Sequence, residues 1–364
     1  MMIKDEIHGT LEFDELEERI IDSENFQRLR RIRQMSVTNL VYPGANHTRF
    51  EHSLGTAHLS GMIARRIGLD EDTVRKVKIY GLLHDIGHTP FSHEGEDILR
   101  KHVGDHEKLG QMKILRGEIA DIISENYRPK EILNIEKANI ITSDIGSDRM
   151  DYLKRDAQNT GVAYGIIDID RLVHTIEMEN GQLCIEKGGL EAAEYLLVAR
   201  FVMFSTVYLH KAVRIATAML YRAIEETIAD GYSPEEFAML DDESAMAAML
   251  DGRGGRYAEA LRNRKLFKEV CSLPKGNMKE AKRLEKELKG EFGCDVIVDY
   301  PHAFSKPAEF LVKTGKGTVP ISKLSKLVQS LKKAEEERMR VLVLAQEKDA
   351  EKIRLGMRKR QCEQ

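Results

Sequence analysis

Apolar residues recur along the first two-thirds of the chain at the spacing of amphipathic helices. Phe26, Leu29, Ile32 and Arg33 follow Ser23 with a period near 3.6, and Ser23 suits the N-cap. Residues 54–67 read as a helix in which Gly55, Ala57, Gly61 and Ala64 leave room for close packing. Asp70 caps another helix, which runs through Val74, Val77 and Leu82 into His84-Asp85, with Gly87 at its end. Thr89-Pro90 opens the next, proline fitting the first helical position. That helix carries His93, Glu96 and Leu99. Residues 191–229 are helical by pattern. Asn180-Gly181 predicts a tight turn between two short strands over about 176–187.

The pattern changes after about residue 230. Gly252-Arg253-Gly254-Gly255 reads as a flexible loop and Lys279–Lys289 as a charged helix. Val296-Ile297-Val298 and Val341-Leu342-Val343-Leu344 read as buried strands, with a helix of residues 321–337 between them. The expected fold class is mainly α. An all-helical core occupies residues 1–230, with the chemistry at about 48–156, and a small α+β appendage occupies 231–364. The tail from Lys352 to Gln364 is expected to fray.

Composition narrows the function classes. The 364 residues suggest about two domains. The net charge of −4 does not advertise nucleic-acid binding, so any anion site must be local. Cys184, Cys271, Cys294 and Cys362 lie far apart without a Cys-x-x-Cys pair, as expected of reduced thiols in the cytoplasm. No apolar run reaches membrane-spanning length. The acidic start, Met1-Met2-Ile3-Lys4-Asp5-Glu6, does not read as a signal peptide.

Eight of the 12 histidines lie between residues 47 and 106. A lone histidine is most often a satisfied core or surface residue. The order of His52, the doublet His84-Asp85 and the distant Asp148 carries more. Neighbouring helical residues diverge by about 100°, so the doublet shares an ion only if other segments supply further ligands, and His52 and Asp148 can do so. Imidazoles with carboxylates suit a divalent ion that activates water and neutralises phosphate charge.

With these motifs in view, the chain resembles the HD-domain phosphohydrolase superfamily, and within it the dNTP triphosphohydrolase branch that includes the sterile-alpha-motif/HD-domain enzyme. The matching stretches are Asp5-Glu6-Ile7-His8-Gly9, Phe26 to Gln34, Tyr42 to Gly55, His84 to His93, Asp148 to Asp156, and Tyr208-Leu209-His210-Lys211. They cover residues 1–225 well and fade towards residue 320.

The resemblance implies metal ligation by His52, His84, Asp85 and Asp148, with the identity open among Mn, Mg, Fe, Ni and Zn. It implies cleavage of a dNTP to deoxynucleoside and inorganic triphosphate. His93 matches the leaving-group acid, with Glu96 three residues on to orient or charge it. His88 matches a contact to the α-phosphate region. His106 matches a further histidine of the catalytic pocket, with Glu107 beside it to hold its tautomer. Arg49, Arg149, Arg200, His210 and Lys211 match phosphate ligands, Arg149 standing where the family has lysine. Gln34 and Asp156 match residues that bond the 3′-hydroxyl. Tyr152 and Tyr208 match rings beside the sugar, and Met35 matches a bulky apolar residue beside the 2′-carbon.

Family members often assemble as homo-oligomers gated by nucleotides. A dimer or tetramer is therefore expected, with Asp22, Arg30, Arg264 and Lys268 matching the effector positions. Met1 falls where the family carries an effector lysine, which argues against strict activation. Two other readings stand beside this one. One is an HD enzyme acting on another nucleotide or a phosphomonoester. The other is a nucleotide sensor that binds single-stranded nucleic acid weakly through Arg28, Arg30, Arg31 and Arg33. No membrane partner is expected.

Overall fold

The first helix of the functional region begins five residues ahead of the expected 54–67, because Thr48 and Glu51 form a cap that the apolar pattern did not show. In the computed structural model, which describes residues 1–135, 139–274, 276–300 and 309–362, the helix Arg49–Arg66 opens with Glu51 accepting from the Thr48 backbone N–H at 2.9 Å. The next helix, Glu71–Leu83, opens with Asp70 accepting from Thr73 N at 3.0 Å. The two pack closely because Gly81 faces Ala57: a Cβ on Gly81 would sit 2.9 Å from the Ala57 Cα. Phe26, Leu29, Ile32, Phe50, Leu54, Leu82 and Ile86 join one buried cluster around them. Each such side chain contributes about 1.5–3 kcal/mol on full burial.

The chain divides into two compact units. One is Met1–Phe204, Ser233–Ala245 and Ala308–Leu331; the other is Ser205–Tyr232, Met246–Pro307 and Lys332–Gln364. This interleaving differs from the contiguous boundary expected at residue 230. Two contacts explain the returns to the first unit. The buried Arg28 guanidinium bonds the carbonyls of Ala238, Met239 and Leu240. Leu311–Thr314 pairs in parallel with Gln182–Glu186.

The first unit is mainly helical but not wholly so. A hairpin pairs Met2–Asp5 with Gly9–Glu12, which the pattern did not predict. The expected strand pair is present as Ile176–Glu179 and Gln182–Glu186, turning through Asn180 (φ 51°) and Gly181 (φ 75°). It extends through Leu311–Thr314 to Gly317–Pro320 as a four-stranded sheet. The helix expected over 191–229 is broken. Leu190–Met203 passes into a π-helical turn, Phe204–Tyr208, and Lys211–Ala229 restarts after His210 accepts from Ala212 N.

In the second unit the expected strands Val296–Asp299 and Arg340–Ala345 pair, and Lys268–Pro274 completes an antiparallel sheet. The charged helix is Met278–Phe292. The helix expected over 321–337 is split into Ile321–Leu324 and Lys326–Glu337 at Ser325. Of the tail expected to fray from Lys352 to Gln364, Glu363 and Gln364 lie outside the described residues, and the part through Cys362 is instead in the helix Glu347–Cys362. Its Ala350, Ile353 and Met357 are buried with Val270 and Val343. Among the described residues no single helix is long and apolar enough to cross a membrane.

Candidate functional site

The four expected ligands converge from three helices. His52 stands in the first turn of Arg49–Arg66, His84-Asp85 follow the last turn of Glu71–Leu83, and Asp148 lies in the first turn of Ser147–Thr160. His52 Nε2 is 3.1 Å from Asp148 Oδ1 and 3.6 Å from Asp85 Oδ2. His84 Nε2 is 3.3 Å from Asp85 Oδ1 and 3.9 Å from Asp148 Oδ1. Both Nε2 atoms are buried without a hydrogen bond, while both Nδ1 atoms have an acceptor: Gly81 O for His84 at 2.8 Å and Asp151 Oδ2 for His52 at 2.7 Å. Those acceptors hold the proton on Nδ1 and leave Nε2 its lone pair, the tautomer a metal ligand needs. Burial opposes charge on His52, yet the carboxylates of Asp148, Asp151 and Asp85 push its pKa up to about 10, so at neutral pH Nε2 also carries a proton, which a bound cation would displace to free that lone pair. The site thus favours a cation, and its N and O donors fit a divalent metal.

The support around His52 was not read from the sequence. Asp151 also accepts from His8 Nε2 at 2.7 Å and from two Arg155 nitrogens at 2.9 Å, and Arg155 reaches Asp5. Burial raises the Asp151 pKa, but Arg155, His52 and His8 overcome it and hold the carboxyl well below its usual range. This gives the Asp5-Glu6-Ile7-His8-Gly9 motif a place behind the ligand. The signal lay in the spacing: Asp148, Asp151 and Arg155 share one helix face at i, i+3 and i+7. Gly55, expected to serve helix packing, makes room for this group instead. A Cβ there would lie 1.9 Å from Asp151 Oδ1.

A second cluster adjoins the first. His88, His93, Glu96 and His106 bring their ligand atoms within 4.8 Å of one another. His88 and His106 stack at 4.0 Å, and His93 stands edge-on to both. His88 Nε2 is 3.3 Å from Asp85 Oδ1, so Asp85 links the two clusters. Burial, Arg49 and His106 hold His88 well below the usual histidine range. The carboxylate of Glu96 bonds His106 Nδ1 at 2.6 Å and lies 3.8 Å from His93 Nδ1. Glu96 therefore orients His106, where Glu107 was expected, rather than His93. The His93 side chain is 66 % exposed. That access to water blunts the downward pull that surrounding protein and Arg49 exert on its pKa.

The turn between these clusters departs from the sequence reading. Proline does not start the helix of His93. The helix is Ser92–Val103, preceded by Phe91 (φ 62°), with Ser92 also left-handed (φ 57°). Gly87 has no positive φ. It is required because a Cβ would lie 2.1 Å from His106 O and 2.3 Å from Gly110 N.

The expected substrate residues fall in both units. In the first, Arg49 is 2 % exposed; it pairs with Asp85 and donates to Ser92 Oγ at 2.8 Å, so its fork is turned inward. Arg149 pairs with Asp144. Arg200 is buried with its guanidinium over Phe204. Gln34 Oε1 is buried and unbonded, and Gln34 N binds His47 O. His47 Nε2, unremarked in the sequence, meets Asp156 Oδ1 at 2.7 Å. Met35 is buried and Tyr152 half-buried. In the second unit, Tyr208 closes the π turn, His210 caps the helix after it, and Lys211 faces Glu269 at 3.5 Å. Of the effector set, Asp22 and Arg30 are exposed in the first unit, where Arg30 covers the Phe50 ring at 3.5 Å. Arg264 and Lys268 line a cleft of about 520 Å³ in the second, together with Lys211 and Arg354.

Comparison with known proteins agrees with this geometry. Residues 49–172 match the HD domain, and residues 167–360 match the HD associated region. The uncharacterized protein MJ1154 of Methanocaldococcus jannaschii is 36 % identical over 97 % of this chain and 81 % of its own length. The deoxynucleoside triphosphate triphosphohydrolase SAMHD1 homolog of Dictyostelium discoideum is 31 % identical over 75 % of this chain, which spans 60 % of that protein. The crystal structure of a hypothetical protein from Aquifex aeolicus superposes with a TM-score of 0.84 at 30 % identity, covering 98 % of this chain and 99 % of that one. The chain belongs to the HD-domain phosphohydrolase superfamily.

Proposed function

We propose that the protein hydrolyses deoxynucleoside triphosphates to deoxynucleoside and inorganic triphosphate. The observation that carries this reading is the junction at Asp85, which joins the metal-ready His52, His84 and Asp85, with Asp148 Oδ1 3.1 Å from His52 Nε2, to the cluster of His88, His93 and His106. A divalent ion held by that set would supply activated water and charge neutralisation.

The chain's own groups then divide the work. As water bonds to the α-phosphorus, the bond to the 5′-oxygen breaks with its electron pair, and that oxygen needs a proton. His93 gives it. A bound triphosphate raises the His93 pKa by its negative charge, offsetting Arg49. His106, held by Glu96, packs beside His93, and His88 faces the α-phosphate. Gln34 Oε1 accepts from the 3′-hydroxyl, and Asp156, steadied by His47, closes the same pocket. Met35 fills the space a 2′-hydroxyl would need. Within the first unit, Arg149 and Arg200 are assigned to the phosphates. The likeness to the Dictyostelium triphosphohydrolase supports the substrate class.

One observation favours a second reading. The inward pairing of Arg49 with Asp85 leaves the phosphate cradle short of a cation, which suits an HD phosphohydrolase for a less charged phosphoester. Incubating the protein with each dNTP and a panel of divalent ions, then separating nucleoside, phosphate, pyrophosphate and triphosphate, decides between them. Nucleoside with triphosphate is the expected product pair; nucleotide with phosphate or pyrophosphate, or no dNTP turnover, rejects the proposal.

A further inference from the structure

We propose that Asp242 is a positioning residue: its buried carboxylate ties the strained turn that aims His93 to the segment that carries Gln34 and Met35. This rests on the assignment of His93 as the leaving-group acid.

Asp242 is 2 % exposed, and each of its oxygens serves a different segment. Oδ1 accepts from Phe91 N at 2.7 Å, and Oδ2 accepts from Arg33 N at 3.0 Å. Phe91 and Ser92 are consecutive left-handed residues without glycine, a conformation that persists only when its surroundings enforce it. They enter directly the helix on which His93 is the second residue. Arg33 directly precedes Gln34. One carboxylate therefore sets the distance between the acid and the sugar pocket.

The same contact is clasped from both sides. Ser92 Oγ donates to Arg33 O at 2.7 Å. Arg28 Nη1 donates to His88 O at 2.9 Å, while its other nitrogens hold the carbonyls of Ala238, Met239 and Leu240, just ahead of Asp242. Arg31 holds Asp241 at 2.5 Å. Burial lifts the Asp242 carboxyl to about 6, against the pull of the Phe91 and Arg33 amides. Its folded pKa is thus raised, so native stability falls as pH rises from the usual carboxylate range through that value. A carboxylate kept here at a stability penalty fits a role in shaping the site.

Loss of one oxygen frees the turn to relax, which would rotate the first helical turn and take His93 away from the leaving oxygen. The metal ligands stand on other segments and should be untouched. The test uses Asp242→Asn and Asp242→Ala in the full chain. Metal content, hydrogen exchange of the 88–93 segment, and kcat for aryl phosphodiesters of graded leaving-group pKa are measured, with dATP alongside. We expect wild-type metal content and faster exchange at 88–93, with exchange in Arg49–Arg66 unchanged. Rates on the best leaving group should stay near wild type, and rates on the poorest should fall on the order of 10²-fold, matching His93→Ala. The Asp242→Asn/His93→Ala double variant should lose no more than His93→Ala. An equal loss across all leaving groups, or unchanged exchange at 88–93, overturns the inference. A wild type inert towards dATP but showing the graded pattern rejects the dNTP reading and leaves this one intact.

Discussion

Asp151 Oδ2 lies 2.7 Å from His52 Nδ1, and that bond decides which His52 nitrogen faces Asp85 and Asp148. Without it His52 is free to carry its proton on Nε2 and lose its lone pair for a metal. Asp151→Asn should therefore lower metal affinity by about 10–100-fold, the usual size for an outer-shell partner, while Asp85→Ala should abolish stoichiometric metal. Elemental analysis after dialysis against graded chelator measures both. Full metal in Asp85→Ala would remove Asp85 from the ligand set.

His93→Ala should retain metal and lose on the order of 10²–10⁴-fold in kcat, the range for one general acid. His106→Ala should fall less, because it acts beside the acid rather than as the acid. Steady-state kinetics on the best dNTP checks the order, and a near-normal His93→Ala rejects the assignment.

Deoxyribose should be preferred over ribose. Met35 is buried beside Gln34, whose Oε1 is buried without a hydrogen bond among the described residues. Comparing kcat/KM for dATP and ATP should show discrimination beyond the roughly 10–200-fold that one methylene gives. Met35→Ala should narrow the gap; an unchanged ratio would make Met35 a core residue only.

The Glu96–His106 pair should leave a pH signature on stability. Burial opposes charge on both, yet their bond raises the His106 pKa and lowers that of Glu96. A raised His106 contributes fully below its unfolded value of 6.5 and loses that contribution as pH rises through the folded one. A lowered Glu96 contributes fully above 4.5 and loses it as pH falls through its folded value. The stability difference between wild type and Glu96→Gln should peak between these limits. Urea midpoints of metal-free protein across the pH range measure it, and a flat difference would mean the pair is not charged.

A homo-oligomer is expected, with any nucleotide activation using Asp22, Arg30, Arg264 and Lys268. Arg264 and Lys268 share a cleft that Glu269, Glu347 and Glu351 also line, and arginine forks suit phosphate. Light scattering with and without dGTP, beside the activity assay, should show assembly without strict dependence on the nucleotide. A fully active monomer at every concentration would end the regulatory claim and leave the catalytic one.

The sequence by itself determined the helix that leads into His84-Asp85, because capping and apolar period are local and Asp70 specifies where it begins; the earlier start of Arg49–Arg66 and the helix Ser147–Thr160 were not read from it. It also singled out His52, His84, Asp85 and Asp148 as candidates for one metal site, because their residue types and order suggest that chemistry. Only the tertiary structure decided what stands behind them. Asp151, His8 and Arg155 look like ordinary polar residues until folding brings positions 143 apart to 2.7 Å. Glu96 passes over its helix neighbour His93 for His106, because a hydrogen bond follows distance and direction in space rather than sequence spacing. The left-handed Phe91 and Ser92 are invisible to propensity, since Asp242 holds them from the far side of the sequence. Gly55 and Gly87 read as packing or capping residues, and their close neighbours alone reveal what their missing side chains make room for.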